Sequence, residues 1–120
     1  ALKNLNKLFR LEKNFLIDRG DLSKDISIEN IPIAQRYIFA SSKKIRGTKI
    51  AIATNFLESM TNKPYPTRAE VNDIFNALEM GASGIVLAAE TAIGKYPMEC
   101  VSFLLKIIKA FKYKNKVKFN

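Results

Sequence analysis

Three short, largely apolar runs punctuate the chain: Phe15-Leu16-Ile17, Lys49-Ile50-Ala51-Ile52-Ala53 and Gly84-Ile85-Val86-Leu87-Ala88. Each is followed by polar turn residues, and stretches of helical period lie between them. Strands of this kind, separated by a dozen or more helical residues, require crossover connections. Crossovers are right-handed and bring successive strands parallel, with helices covering at least one face of the sheet. The expected fold class is therefore α/β, in the order helix, then three strand-helix units.

The helices carry their own signals. Leu2, Leu5, Leu8, Phe9 and Leu11 recur with helical spacing, and helix is expected to give way to strand near Asn14. A polar loop is expected from Asp18 to Glu29. The next helix has Ile33, Tyr37, Ile38 and Ile45 on one side and Gly47 placed to end it. Thr67 and Glu70 form a capping box, followed by Val71, Ile74, Phe75 and Leu78 at positions i, i+3, i+4 and i+7 and by Gly81 as a left-handed terminator. The last helix opens at Pro97, with Val101, Leu104, Leu105 and Ile108 as its expected buried stripe. No Gly-, Pro- or Ser-rich linker divides the chain. Residues 1–113 read as one domain or part of one, and 114–120 as a basic tail.

Composition narrows the function classes. A chain of 120 residues with 48% hydrophobic and 26% charged residues can bury a core. The net charge of +9 is compatible with a nucleic-acid or anionic surface partner, but six lysines and no carboxylate between Lys106 and Lys118 place much of it at a helix end. No aromatic-interleaved β pattern accompanies them, so a single-strand platform is not supported. Cys100 is the one cysteine and histidine is absent, which excludes an intramolecular disulfide, a Cys-His nucleophile and the usual zinc sets. A lone helical thiol reads as core packing. No apolar run reaches the ~18 residues of a membrane span, and no signal peptide opens the chain, so the expected address is the cytoplasm.

Reactive groups in parallel α/β folds lie beyond the carboxyl ends of the strands. Beyond the first run stand Asp18, Arg19, Gly20 and Asp21; beyond the second, Thr54, Asn55 and Glu58; beyond the third, Glu90 and Thr91. Arg19-Gly20-Asp21 reads either as an ordinary turn or as a ligand site in which glycine admits an anion to backbone amides and Asp21 offers a hard oxygen to Mg²⁺. Thr54 either satisfies local backbone groups or acts catalytically, donating to a bound carboxylate or sitting in a proton relay. Glu58 and Glu90 are acid-base candidates or solvated charges. Arg68, at a helix start where its charge opposes the dipole, calls for a carboxylate partner or exposure to water.

Ile17-Asp18-Arg19-Gly20-Asp21-Leu22, Ala53-Thr54-Asn55-Phe56-Leu57-Glu58-Ser59-Met60, Pro66-Thr67-Arg68-Ala69-Glu70-Val71-Asn72-Asp73, and Glu90-Thr91-Ala92 with Tyr96-Pro97 resemble consecutive signatures of the pyruvate kinase family across residues 4–112. The resemblance implies parallel β/α units forming roughly half of a TIM-type barrel, since a complete one needs on the order of 250 residues. It also implies transfer of phosphate from phosphoenolpyruvate to ADP, with Mg²⁺ and K⁺, the potassium site lying outside this chain. By matching position, Gly20 and Asp21 would offer amides to substrate, Asp21 a carboxylate to the metal, and Thr54 a hydroxyl to the substrate carboxylate, with Arg19 in the same catalytic loop.

The family's Lys-Ile-Glu segment, its earlier strands and its further domains would lie outside these residues. The chain is therefore expected to act with the remainder of a barrel or as a homo-oligomer, and to be inactive alone. The alternative is a non-catalytic module that binds phosphoenolpyruvate or another anion, or serves assembly. Within the match, Asp18 stands for a small residue, Ser23 for glycine, Asn55 for glutamine, Ala88-Ala89 for Ser-Gly and Lys95 for an acid.

Overall fold

The structure, a computed structural model, describes residues 4–119. In chain order the elements are α1 (Leu5–Leu11), β1 (Asn14–Asp18), α2 (Arg19–Asp25), a 3₁₀ turn (Ile28–Asn30), α3 (Ile31–Ser42), β2 (Lys49–Ala53), a 3₁₀ turn (Glu58–Thr61), α4 (Arg68–Met80), β3 (Gly84–Val86), α5 (Ala89–Ala92), α6 (Pro97–Lys112) and a 3₁₀ turn (Lys114–Lys116). The chain divides into two compact units. One runs through Thr54 and takes in Met80–Val86; the other holds Asn55–Glu79 and the residues from Leu87 onward.

The first unit contains a three-stranded parallel sheet in the order β1-β2-β3. The pairings Ile17↔Ile52 and Ile52↔Ile85, with Phe15↔Ile50, line one face. Ile17, Ile50 and Ile52 on that face are buried. Phe9 of α1 closes on Phe15 edge-to-face, with ring centroids 4.8 Å apart. The other face carries Leu16, Ala51 and Gly84 in one row and Asp18, Ala53 and Val86 in the next. Leu16 there is 58% exposed. One face is thus apolar and covered, as the strand runs require.

Two local expectations are corrected in this unit. The polar loop expected from Asp18 to Glu29 contains helix α2, because Asp18 itself caps it. The second helix ends at Ser42, so Ile45 lies beyond it. Its buried side is Ala34, Gln35, Ile38, Phe39, Ser41 and Ser42, while Ile33 and Tyr37 are exposed. Gly47 still adopts the left-handed conformation, at φ +84°, in the turn that follows.

In the second unit the capping box of α4 forms as expected. The Thr67 amide donates to Glu70 Oε1 at 2.9 Å and the Glu70 amide donates to Thr67 Oγ1 at 3.1 Å. Ile74 and Ala77 of α4 are buried. Phe75 meets Phe111 of α6 edge-to-face, with centroids 5.6 Å apart. On α6 the buried positions are Cys100 and Ile107, whereas Val101 and Leu105 are exposed, which rotates the expected stripe. At the basic end, the Lys114 ammonium lies 4.0 Å from the Phe111 ring centroid and Lys106 lies 5.0 Å from that of Phe103. Gly81, which follows α4 and belongs to the first unit, takes φ +108° as its position predicts.

Candidate functional site

The register Asp18↔Ala53 ends β1 and β2 level with each other. The residues that follow, Arg19 and Thr54, therefore emerge side by side. Asp18 is both the last strand residue and the N-cap of α2: its Oδ1 accepts from the amides of Gly20 at 2.9 Å and Asp21 at 3.3 Å. Across the sheet, the Thr54 hydroxyl donates to the same Oδ1 at 2.8 Å. Gly20 makes the crowding possible, because a Cβ there would stand 3.2 Å from Asp18 Oδ1 and 3.6 Å from Thr54 Cγ2.

Arg19 reaches the other side of Thr54. Its Nη2 and Nε donate to the Thr54 carbonyl at 2.5 and 3.2 Å. Thr54 and Asn55 both sit at positive φ, +89° and +62°. Asn tolerates that region, but a β-branched residue there is an outlier that costs on the order of 1–3 kcal/mol and persists only where neighbours over-determine it. The charge-assisted bonds from Arg19 and to Asp18 do so. Thr54 is held by its hydroxyl and its carbonyl at once.

Asp21 differs from the others. Its amide joins the cluster, but its side chain is 70% exposed and its carboxylate lies 3.2 Å from Lys24, a surface pair of little energetic weight. The Asp18 carboxyl is held below the ordinary carboxylate value, chiefly by the Thr54 hydroxyl. Partial desolvation opposes this, and the Asp21 and Gly20 amides and the Lys24 charge add to it. Among the described residues no group of three or more His, Cys, Asp or Glu side chains could hold a metal by itself. Mg²⁺ asks for less: one or two carboxylates, with waters and substrate oxygens completing an octahedron. The exposed Asp21 carboxylate fits the first of these.

The structure thus brings the Gly20 and Asp21 amides and the Thr54 hydroxyl together on Asp18, and Arg19 onto the Thr54 carbonyl. The remaining candidates belong to the second unit. Glu58 and Arg68 are exposed, and water therefore relieves the Arg68 charge at the start of α4. Glu90 is buried, 1% exposed, and accepts from the Ala88 amide. The Thr91 hydroxyl donates to the Ala88 carbonyl at 3.0 Å. The Cys100 thiol, buried and with its pKa pushed up by desolvation first and the nearby carboxylates of Glu90, Glu99 and Glu70 next, donates to the Glu90 carbonyl at 3.6 Å. Core packing is its role here.

Glu70 carries more than the sequence signalled. Besides capping α4, it accepts from the Ser59 amide at 2.8 Å and the Ser59 hydroxyl at 2.5 Å, tying the 3₁₀ turn to the helix. Burial is the largest single influence on its carboxyl and raises its pKa, but the bonds from Ser59 and Thr67 together outweigh it and leave the group below its ordinary value of 4.5. A carboxyl depressed in the folded state adds stability above its unfolded pKa and loses it as pH falls through the folded one. Melting temperatures from pH 7 to pH 3 are expected to fall more steeply below about pH 4.5 in the wild type than in Glu70→Gln. Equal slopes would show that the network contributes nothing.

Residues 1–101 match the family described as pyruvate kinase, barrel domain. The pyruvate kinase of Thermotoga maritima is 43% identical over 109 residues, covering 91% of this chain and 23% of that protein. That of Methanocaldococcus jannaschii is 44% identical over 109 residues, covering 91% and 24%. The crystal structure of pyruvate kinase from Pyrobaculum aerophilum superposes with a TM-score of 0.85 at 42% identity, covering 91% of this chain and 24% of that one. The chain spans about a quarter of the length of these relatives. Its three parallel strands and their helices match part of the relatives' barrel, and the chain belongs to the pyruvate kinase family through its barrel domain.

Proposed function

We propose that this chain supplies the phosphoenolpyruvate- and Mg²⁺-holding part of a pyruvate kinase-type phosphotransferase, which converts phosphoenolpyruvate and ADP to pyruvate and ATP in glycolysis. The observation that carries the reading is the meeting of Arg19-Gly20-Asp21 with Thr54 at the level ends of β1 and β2. In it, residues 1–113 are the barrel portion, completed by the remaining strands or by other subunits, and residues 114–120 are a basic extension. Nucleotide and potassium contacts belong to segments outside these residues.

Each side chain has a task its geometry suits. The Asp21 carboxylate, exposed beside the turn, holds one position on Mg²⁺. An ion held there would supply positive charge against the oxygens of the transferring phosphoryl group. Thr54 presents its hydroxyl to the substrate carboxylate, and the amides of Gly20 and Asp21 approach the same acid. Arg19 acts through Thr54, holding its carbonyl and so the direction of its hydroxyl.

Calorimetric titration of phosphoenolpyruvate into the chain tests the reading. Binding is expected to require Mg²⁺ and to be lost in Asp21→Ala. The Asp21 side chain is about 70% exposed, so the substitution removes a ligand without opening the core. Binding indifferent to both Mg²⁺ and Asp21 would overturn it. A non-catalytic phosphoenolpyruvate or anion module is the second reading: Mg²⁺-dependent binding without pyruvate formation, once the other barrel strands are supplied together with ADP and K⁺, favours it.

A further inference from the structure

Capping of α2 accounts for the amides of Gly20 and Asp21 on Asp18, but it does not need Thr54. Yet the Thr54 hydroxyl, 36 positions along the chain and on the next strand, donates to the same Oδ1 as the two amides. Each of these donors has a single hydrogen, and all three are directed at one carboxylate oxygen. They are the same donors assigned above to the acid of the substrate. In the row of the sheet to which Asp18 belongs, its partner Ala53 and the next residue, Val86, bring no charge of their own. A carboxylate is thus installed by the chain itself where a ligand carboxylate would be received.

We propose that Asp18 is an internal occupant of the substrate-acid position, an autoinhibitory contact that an incoming carboxylate must displace. This rests on the functional reading given above. The chemistry is competition between like groups: a second carboxylate cannot take hydrogens already engaged by Asp18, and it is repelled by the Asp18 charge while the two are close. Two short side-chain torsions are enough to swing Asp18 aside, and Asp18 is only partly buried. The cost of that displacement appears as weakened affinity for any substrate acid. A small neutral residue at position 18 leaves the donors available from the outset.

The experiment uses the whole chain and phosphoenolpyruvate with Mg²⁺ in a calorimeter, comparing wild type, Asp18→Ala and Asp18→Asn. Asp18→Ala is expected to bind at least about ten-fold more tightly than wild type, with Asp18→Asn in between, because it keeps an acceptor oxygen and the helix cap but loses the charge. Asn also protects the comparison if Ala loosens α2, and circular dichroism reports which variants are folded. In parallel, hydrogen exchange at the Gly20 and Asp21 amides is expected to accelerate in Asp18→Ala and to be restored by Asp18→Asn. Equal or weaker binding in both folded variants overturns the proposal, as does unchanged exchange at the two amides. If wild-type binding is Mg²⁺-dependent and lost in Asp21→Ala while position 18 has no effect, the occupant is refuted and the functional reading stands. If Asp18→Ala gains affinity that depends on neither Mg²⁺ nor Asp21, the occupant stands and the functional reading falls. If no variant binds phosphoenolpyruvate, both are overturned.

Discussion

Phe56→Ala is expected to lower the free energy of unfolding by about 3–5 kcal/mol, measured as a shift in the urea midpoint at unchanged slope. Phe56 is fully buried, as are Leu57 and Met60 nearby, and with Ala53 they are the apolar half of Ala53-Thr54-Asn55-Phe56-Leu57-Glu58-Ser59-Met60. Truncation removes a whole ring from a packed site, so the lost transfer energy and the residual cavity add. Single domains have about 5–15 kcal/mol in total, so a loss of this size removes a large share of the stability. Tyr65→Ala is the control: its ring is 60% exposed, and the expected change is within about 0.5 kcal/mol. A Phe56→Ala change as small as that of the control would mean that Phe56 is not part of a packed core. The prediction also says what this stretch is for, since its charged member Glu58 faces solvent while its apolar members build the interior.

Gly94→Ala is the second large effect. A Cβ at Gly94 would fall far inside van der Waals contact with the carbonyl oxygen of Glu90 and stand 3.2 Å from Thr61 Cα. Both obstacles are backbone, and neither can rotate away. The segment is also tied there, because the Gly94 amide donates to the Ala89 carbonyl at 3.0 Å and the Lys95 amide to the Thr61 carbonyl at 3.0 Å. One methyl therefore forces α5 and the 3₁₀ turn at Glu58–Thr61 apart, at about 3 kcal/mol, the upper part of the usual overpacking range. Thermal melts are the measurement, and an unshifted midpoint would sink the argument. Gly84→Ala is the contrast: its Cβ would meet only Ala51 Cβ, at an ordinary 3.7 Å.

Elements with local signals are legible in the sequence alone. The capping box at Thr67 and Glu70 and the terminator at Gly81 involve residues within a few positions of one another, so their chemistry is complete in the sequence. The strands β1 and β2 announced themselves as unbroken apolar runs. Helix α2 did not, because Arg19-Gly20-Asp21-Leu22-Ser23-Lys24-Asp25 has one large apolar residue and a glycine, and forms on the strength of the Asp18 cap. The stripe on α6 was misplaced because Val101, Leu104, Leu105, Ile107 and Ile108 are all apolar, and periodicity cannot choose among faces when several qualify. At the site, residue identities were readable and their directions were not. Asp18 reads in sequence as an added charge on the rim; that it collects three donors depends on the pairing Asp18↔Ala53, which only the folded sheet fixes.

That pairing also limits how such a molecule can change. The backbone of Thr54 is shaped by a guanidinium that belongs to the preceding strand's turn, and the hydroxyl of Thr54 is aimed by a carboxylate from that same turn. The two turns are therefore not interchangeable modules. Transplanting the Thr54 segment into a chain without arginine at position 19 would deliver the side chain with its carbonyl unheld, and the residue at position 18 would decide what its hydroxyl meets. Variation at the two strand ends has to travel as a pair.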